Sequence, residues 1–489
     1  MTRQGLIVTV VLMFGGVTGA QQPPPGAPPA TKAEGTVLKN KAPVNSEILR
    51  VKLPKPGEAD LSNGVHLIVL EDHRTPEVSF QMLIEGAGGY YDPPALPGLA
   101  SFTAALMREG TTTKTSEQLS EQLDRLAAGV NVGAGISSPF ATVGGSGLTN
   151  NLDTVLAVMA DVLLNPSFTQ AEIDRYKTRT RAGLVQQRTQ PAFLAQERLN
   201  RVLYGDHPSG RVSPTAAALD ALTREVLVAF HRDHYVPDRA VLAVSGDISM
   251  AQAKSKAEAA FGGWKKSGTP LVAQVDPAPL NGPSISLVAR PNSVQTSLRI
   301  GTQAIERTNP DYEALTLANR IIGGPFGRLF EHLREQKGYT YGANSAFAAS
   351  RIRGGWAAST DVRSEVTEPA LTDLIDEIRQ MRDVPVADAE MAKAKKAIVA
   401  GFALSLENPN AILNLYIDRY VYKLPSDYWD SYPAKIEALS AADVRRIAQK
   451  YWAADRLQIV AVGDLEKVQP VLRKLGAVQA SDADGNPLK

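Results

Sequence analysis

The sequence predicts an α+β fold of two homologous domains, each a largely antiparallel sheet with helices on one face. Three observations carry this reading. First, the chain contains one of its segments twice: Leu222 to Ile248 aligns without a gap on Leu439 to Leu465 at a constant offset of 217. Leu222, Asp238, Arg239, Gly246 and Asp247 fall on Leu439, Asp455, Arg456, Gly463 and Asp464. Second, each copy reads as a helix, a short turn and an apolar strand ended by Gly-Asp. Third, each copy is preceded by period-two strands and period-3.6 helices, the pattern of sheets with helices packed on them. With 489 residues there is room for the duplication, and 44% hydrophobic with 21% charged residues excludes a disordered or fibrous chain.

The elements follow in chain order. Arg3, then the uncharged run Gly5 to Gly16, then Thr18 and Ala20 before Gln21, read as an export signal over residues 1–20. The apolar run is too short to span a bilayer; the alternative is an anchor that stays uncleaved. Residues 21–45 are rich in Pro, Ala and Lys and read as a flexible tether. In the first domain, expected over residues 46–266, Val65, Leu67 and Val69 alternate with His66, Ile68 and Leu70. Asp72 to Pro76 makes a turn, and Val78, Phe80, Met82 and Ile84 share a face of a second strand, so the two read as a strand pair. A helix starts at Gly98, with Leu99, Phe102 and Leu106 at helical spacing. Leu152 to Leu164 is a second helix; after Asn165-Pro166, Thr169 with Glu172 has the spacing of a capping box. Residues 267–283, rich in Pro, Gly, Ala and Val, are the expected linker. In the second domain, 284–470, Ser284 to Ala289 and Gln295 to Gly301 take the strand roles, with helices over Leu371 to Met381 and from Asp388. Residues 471–489 read as a polar tail.

Charge and cysteine usage remove several function classes. Lys plus Arg number 52 against 51 Asp plus Glu, so the chain has no global reason to seek nucleic acid or anionic lipid. The absence of cysteine excludes disulfides, thiolate metal sites, a Cys nucleophile and an N-terminal lipidated Cys. After the export signal no run of 18 uncharged apolar residues follows, so no stable membrane insertion is expected once the signal is removed.

The ordered segments DHRTPEVSFQMLIEGAGGYYDPPALPGLASFTAALMREGT, LNPSFTQAEIDRYK, YGDHPSGR and HYVPDRAVLAVSGD resemble the pitrilysin/insulinase family of zinc peptidases. GGPFGRLFEHLREQKGYTYG and YPAKIEALSAADVRRIAQKYW extend the match through the second half, so that it covers roughly residues 48 to 466. The resemblance implies two peptidase-like domains facing each other as a clamshell. It also implies an inverted zinc motif, H-x-x-E-H, on the helix after GLA: two His one turn apart bind the metal and the Glu activates its water. In this chain those positions hold Ser101, Ala104 and Ala105, and between Arg175 and Gln196, where the family places a further Glu ligand, there is no acidic residue. A methyl group neither ligates zinc nor accepts a proton, so this chain is expected to bind no cofactor itself and to be inactive alone.

Three other patterns are weaker. His332-Leu333-Arg334-Glu335-Gln336 has Gln, a poor zinc ligand, where a second His would be needed; it reads as a partly exposed helix with Phe330 and Leu333 toward the core and His332 and Glu335 toward water. His231 and His234 share a helical face, but the repeat places His234 against Tyr451, and a structural role is the better account. Ser146 lacks the glycine two residues on that a nucleophile elbow requires.

The resemblance leaves Arg334 and Tyr341 in LREQKGYTYG. In active members an Arg and a Tyr at this spacing come from the second domain and complete the site built on the first. Arg can grip a substrate carbonyl with its planar fork, and a Tyr hydroxyl can donate to the oxyanion formed on attack. Some members divide the work between two chains, one with zinc and one with this pair. The implied function is therefore the non-zinc-binding subunit of a periplasmic heterodimeric metallopeptidase, acting in trans on a peptide beside a zinc-bearing paralogue. The alternative is a catalytically inactive scaffold or peptide-binding chamber of the same superfamily.

Overall fold

The computed structural model describes residues 51–488; the expected export signal and tether lie outside the described residues. Six strands form the first sheet: β1 (Gly57–Asp60), β2 (His66–Glu71), β3 (Glu77–Glu85), β4 (Gly129–Ala134), β5 (Phe140–Leu148) and β6 (Ala240–Gly246). Their order is β1-β2-β6-β3-β5-β4. The second sheet has β7 (Ser284–Ala289), β8 (Gln295–Gln303), β9 (Thr340–Phe347), β10 (Gly355–Arg363), β11 (Gln458–Gly463) and β12 (Val478–Ser481), in the order β12-β7-β11-β8-β10-β9.

The duplication is visible in this topology. In each sheet the strand that ends the repeated segment is inserted between two strands consecutive in sequence: β6 between β2 and β3, β11 between β7 and β8. β6 runs parallel to β2 and antiparallel to β3; β11 runs parallel to β7 and antiparallel to β8. The expected strand pair is corrected accordingly: β2 and β3 are consecutive in sequence but are not partners. The reason is burial. β6 is apolar on both faces and almost wholly buried along its length, so it belongs at the centre of the sheet and not at an edge.

Helices of the first half are α1 (Leu99–Met107), α2 (Ser116–Arg125), α3 (Leu152–Leu164), α4 (Gln170–Arg188), α5 (Pro191–Tyr204), α6 (Ala216–Asp220), α7 (Arg224–His234) and α8 (Met250–Phe261). Those of the second half are α9 (Tyr312–Gly323), α10 (Arg328–Phe330), α11 (Thr367–Asp383), α12 (Asp388–Ser405), α13 (Pro409–Tyr422), α14 (Tyr428–Ala438), α15 (Ala441–Tyr451) and α16 (Leu465–Arg473). The repeated helices α7 and α15 begin 217 residues apart, the offset of the sequence repeat.

Each sheet packs its own helices on one face. In the first core, Leu67, Val69, Met82 and Ile84 meet Phe102, Leu106, Val155 and Met159. In the second, Leu298, Ile300 and Ala461 meet Leu317, Leu371 and Ile447. The other face of each sheet is covered by a helix from the opposite half. Ile412, Leu413, Tyr416 and Ile417 of α13 pack on Ile68, Leu70, Val241 and Ala243. Leu194, Leu199 and Leu203 of α5 pack on Val288, Val460 and Val462.

Two further expectations need correction. Thr169 precedes α4 as its N-cap residue, but its side chain makes no capping bond, and Glu172 pairs with Arg175 instead. Residues 471–489, expected as a polar tail, include the last turn of α16 and β12. β12 pairs in parallel with β7, because Val478 and Ala480 stand opposite Ile285 and Leu287.

Candidate functional site

The helix at the expected metal motif is α1. Gly98 precedes it with φ +105, a left-handed conformation that an L side chain resists. The main-chain N–H groups of Gly98 and Ala100 donate to the Asp92 carboxylate at 2.6 and 2.8 Å, so a buried acid holds the start of the helix. Burial pushes Asp92 up to about 6, against the hydrogen bonds from Ala100 and Gly98 and the nearby Arg211 charge. On the helix itself, the Ser101 hydroxyl donates to the Ala134 carbonyl of β4 at 2.7 Å. Ala104 is buried and Ala105 half-buried. Facing α1, α4 contributes Tyr176, whose ring meets Phe102 edge-on at 5.9 Å. The donor set does not fit zinc: one hydroxyl already engaged by a carbonyl, two methyl groups, and an opposing helix whose acids, Glu172 and Asp174, lie only within its first five residues.

The second candidate lies on the other half. α10 continues into a π-helical turn, Glu331–Gln336, anchored by Leu329 and Leu333, both fully buried. The wide turn is closed by N–H groups of the following residues: Lys337 donates to His332 O, Gly338 to Arg334 O and Tyr339 to Leu333 O, at 2.9–3.1 Å. Gly338 has φ +62, the left-handed turn that ends the helix and turns the chain into β9. Arg334 and Tyr341 thereby stand side by side, the guanidinium carbon 4.8 Å from the Tyr341 ring centroid. On its other side the same guanidinium lies 4.7 Å from the Phe330 ring. A cation between two aromatic faces is held without losing its hydrogen-bonding edge. The Arg334 Nε lies 3.4 Å from Glu335 Oε1, and Tyr341 is 88% exposed. The tyrosine sits on an edge strand, with its ring free to meet an incoming chain.

The weaker sequence candidates resolve differently. His332 is half-buried and turned toward α11: its Nδ1 lies 2.8 Å from Glu377 and its Nε2 3.7 Å from Asp373. Phe330 is half-buried, and Leu329 and Leu333 make the core contacts expected of Phe330 and Leu333 together. His231 and His234 each face a main-chain carbonyl, of Leu163 at 2.7 Å and Gly86 at 2.6 Å; burial lowers the pKa of both. Among the described residues no group of three His, Asp or Glu side chains is placed to hold a metal ion. Sequence reasoning missed Asp92, though an acid six residues before the helix-opening glycine was a readable cap signal. It also missed Phe326, whose exposure no apolar periodicity announces.

Comparison with known proteins gives consistent findings. A family model described as insulinase (peptidase family M16) matches residues 67–213, and one described as the peptidase M16 inactive domain matches residues 221–398. A protein of Bacillus subtilis named an uncharacterized zinc protease is 23% identical over 354 residues, 71% of this chain and 84% of the relative. One of the same description from Rickettsia felis is 25% identical over 352 residues, 71% and 83% of the two chains. The crystal structure of a peptidase M16 inactive domain from Pseudomonas fluorescens superposes with TM-score 0.77 at 27% identity. It covers 84% of this chain and 98% of that one. A protease from Helicobacter pylori shares the fold, with TM-score 0.77 at 16% identity over 84% of this chain and all of that one.

Proposed function

The chain belongs to the insulinase (M16) peptidase family, and on that premise we propose that it is the non-zinc-binding subunit of a periplasmic heterodimeric metallopeptidase. Its partner is a zinc-bearing paralogue, and a peptide lies between the two. The observation that carries the reading is the pairing of Arg334 with Tyr341 in one solvent-facing stack, on a chain whose α1 offers Ser101, Ala104 and Ala105 where a metal site would need ligands and a base. The zinc resides in the partner. The export signal read over residues 1–20 supports the periplasm.

In this reading Arg334 donates to a main-chain carbonyl of the peptide, its plane fixed by Phe330 and Tyr341. Tyr341 donates its hydroxyl to the oxygen of the scissile carbonyl as negative charge develops there. Such a donor accelerates only because it binds the developing charge more strongly than the neutral carbonyl. The exposure of Tyr341 suits a donor that acts on a site completed by another chain.

The test is reconstitution. The chain alone is expected to leave unstructured fluorogenic peptides intact and, after desalting, to hold far less than one zinc per chain by elemental analysis. Mixing with a paralogue that carries H-x-x-E-H is expected to give hydrolysis faster than either chain alone, and chelators are expected to abolish it. Chelator-sensitive hydrolysis by this chain alone would overturn the division of labour.

A further inference from the structure

We propose that the cavity between α4, α5 and the loops after α5 and β12 is a carboxylate-binding site. Arg198 and Arg201 of its wall hold a peptide by a carboxylate, in first place the free one at the peptide's C-terminal end. No residue lining this cavity belongs to the π-helical turn or to β9, so the inference does not depend on the role of Arg334 and Tyr341.

The pattern of α5 sets the two arginines together. Leu194, Leu199 and Leu203 turn to the sheet of the second half. Arg198 and Arg201, three residues apart, are left as neighbours on the flank that lines the cavity. Two like charges this close on a helix repel, and a carboxylate between them would relieve the repulsion. Arg198 has no such carboxylate. Among the described residues its one hydrogen bond runs from Nη2 to Gln479 Oε1 at 3.2 Å, and its Nε is buried with no acceptor. Burial, and after it the Arg201 charge, pull its pKa below the ordinary arginine range. A buried donor left unpaired is rare in a folded protein and calls for an explanation. Arg201 reaches the Gly205 carbonyl at 3.4 Å and meets Asp206, whose side chain is 90% exposed. An ion pair so open to water is weak and yields to a competing carboxylate.

The other charges of the wall are engaged. Arg188 lies 3.2 Å from Glu197 and 3.1 Å from Asp484, Arg181 meets Asp220, and Arg211 donates to the Gly89 carbonyl at 2.7 Å. Asp482 is turned to its own loop, accepting from the main-chain N–H groups of Asp484 and Asn486 at 2.9 and 2.8 Å. Five arginines against four acids line the cavity, an excess of one positive charge. That excess suits a monoanion such as a carboxylate, whose two oxygens match the guanidinium fork, and not a polyphosphate. The volume of about 1030 Å³ is at the upper end of the range for small-molecule sites, so the carboxylate can enter with the end of a peptide attached. Leu184, Phe193 and Val288 give that end an apolar wall on which an aliphatic side chain can lie.

The experiment is titration calorimetry on the full chain with N-acetylated Gly/Ser pentapeptides ending in Leu. It compares the free C-terminal acid, the same peptide amidated, and an amide with Glu at its centre. The free acid is expected to bind about tenfold tighter than the amide, the worth of a charge-assisted hydrogen bond. Arg198→Gln is expected to remove that difference without lowering the thermal midpoint, because it takes away a cation held against burial. Asp206→Asn, a change at an exposed side chain, is expected to tighten binding of the free acid about twofold by freeing Arg201. A central-Glu amide that binds as tightly as the free acid would support the carboxylate site, with an acidic side chain as the source. Equal binding of acid and plain amide, no binding of any peptide, or a preference that survives in Arg198→Gln would each overturn the proposal. So would a marked loss of stability in Arg198→Gln, or free-acid binding that Asp206→Asn leaves unchanged or weakens. Because the readout is binding by this chain alone, its failure leaves the turnover test of Tyr341 intact.

Discussion

Tyr341 and Arg334 differ in what a conservative change removes. Tyr341→Phe keeps the ring that stacks on Arg334 and deletes only the hydroxyl. In the assembled complex it is expected to lower turnover about a hundred- to a thousand-fold, or roughly 3–4 kcal/mol of transition-state stabilisation, with assembly unchanged by size-exclusion chromatography. Arg334→Lys loses the plane that Phe330 and Tyr341 clamp, so substrate binding and turnover should both fall. Full activity in an assembled Tyr341→Phe complex would leave a scaffold as the reading. Asp311 is a different kind of residue. Burial would raise its pKa, but hydrogen bonds from Lys450, Tyr451 and Arg446 hold it at about 2, below the ordinary 3.8. A carboxylate depressed in the fold contributes stability that is present above pH 4 and lost as the pH falls toward 2, here about 2 kcal/mol. Asp311→Asn should destabilise the protein at pH 7 by roughly that amount, and the gap from wild type should close between pH 4 and pH 2. Urea unfolding at several pH values measures this; a gap independent of pH would show that the charge contributes nothing.

At the scale of elements, the repeated Gly-Asp has a definite task in each half. Asp247 follows β6 and accepts from Thr149, with His73 of the β2–β3 turn 2.7 Å away. Asp464 follows β11 and accepts from the Asn292 N–H of the β7–β8 turn at 2.9 Å. In both, the acid after the central strand fastens the turn between the two strands it separates. The exchanged helices are the other element-level device. Leu413 of α13 and Leu199 of α5 are each 1% exposed, although both lie on the face of a sheet built by the other half. Leu413→Ala and Leu199→Ala are each expected to cost about 2–5 kcal/mol, the range for an aliphatic side chain removed from a packed core. Denaturant midpoints would check this; losses below about 1 kcal/mol would mean that the covering helices rest loosely on the sheets.

For the whole molecule, these exchanged helices imply one cooperative unit. The described residues cluster as one compact body, and each half alone would expose an apolar sheet face normally covered by the other. Calorimetry is therefore expected to give a single unfolding transition, with calorimetric and van't Hoff enthalpies equal. Residues 51–266 expressed alone should bind a hydrophobic dye or aggregate. Two resolved transitions would show that the halves fold independently.

What the sequence by itself determined was the duplication and the fold class; through the family resemblance it also pointed to positions 101, 104 and 105, which carry no metal-ligating side chain, and to the pair worth testing. These are properties of order and type: the 217-residue offset, the alternation in Val65–Val69 and Val78–Ile84, and methyl groups at 104 and 105 are the same however the chain folds. The tertiary structure decided which strands are neighbours, because β6 reaches its place from more than 90 residues after β5 through burial on both faces, which no local pattern near β2 or β3 records. It decided that the far faces of the sheets are closed by α5 and α13, since an apolar helix face does not name its partner. It also brought Phe326, Phe330, Arg334 and Tyr341 into one stack. Their spacing in sequence allows that arrangement, but the π-helical turn and the left-handed Gly338 set the direction in which each side chain points.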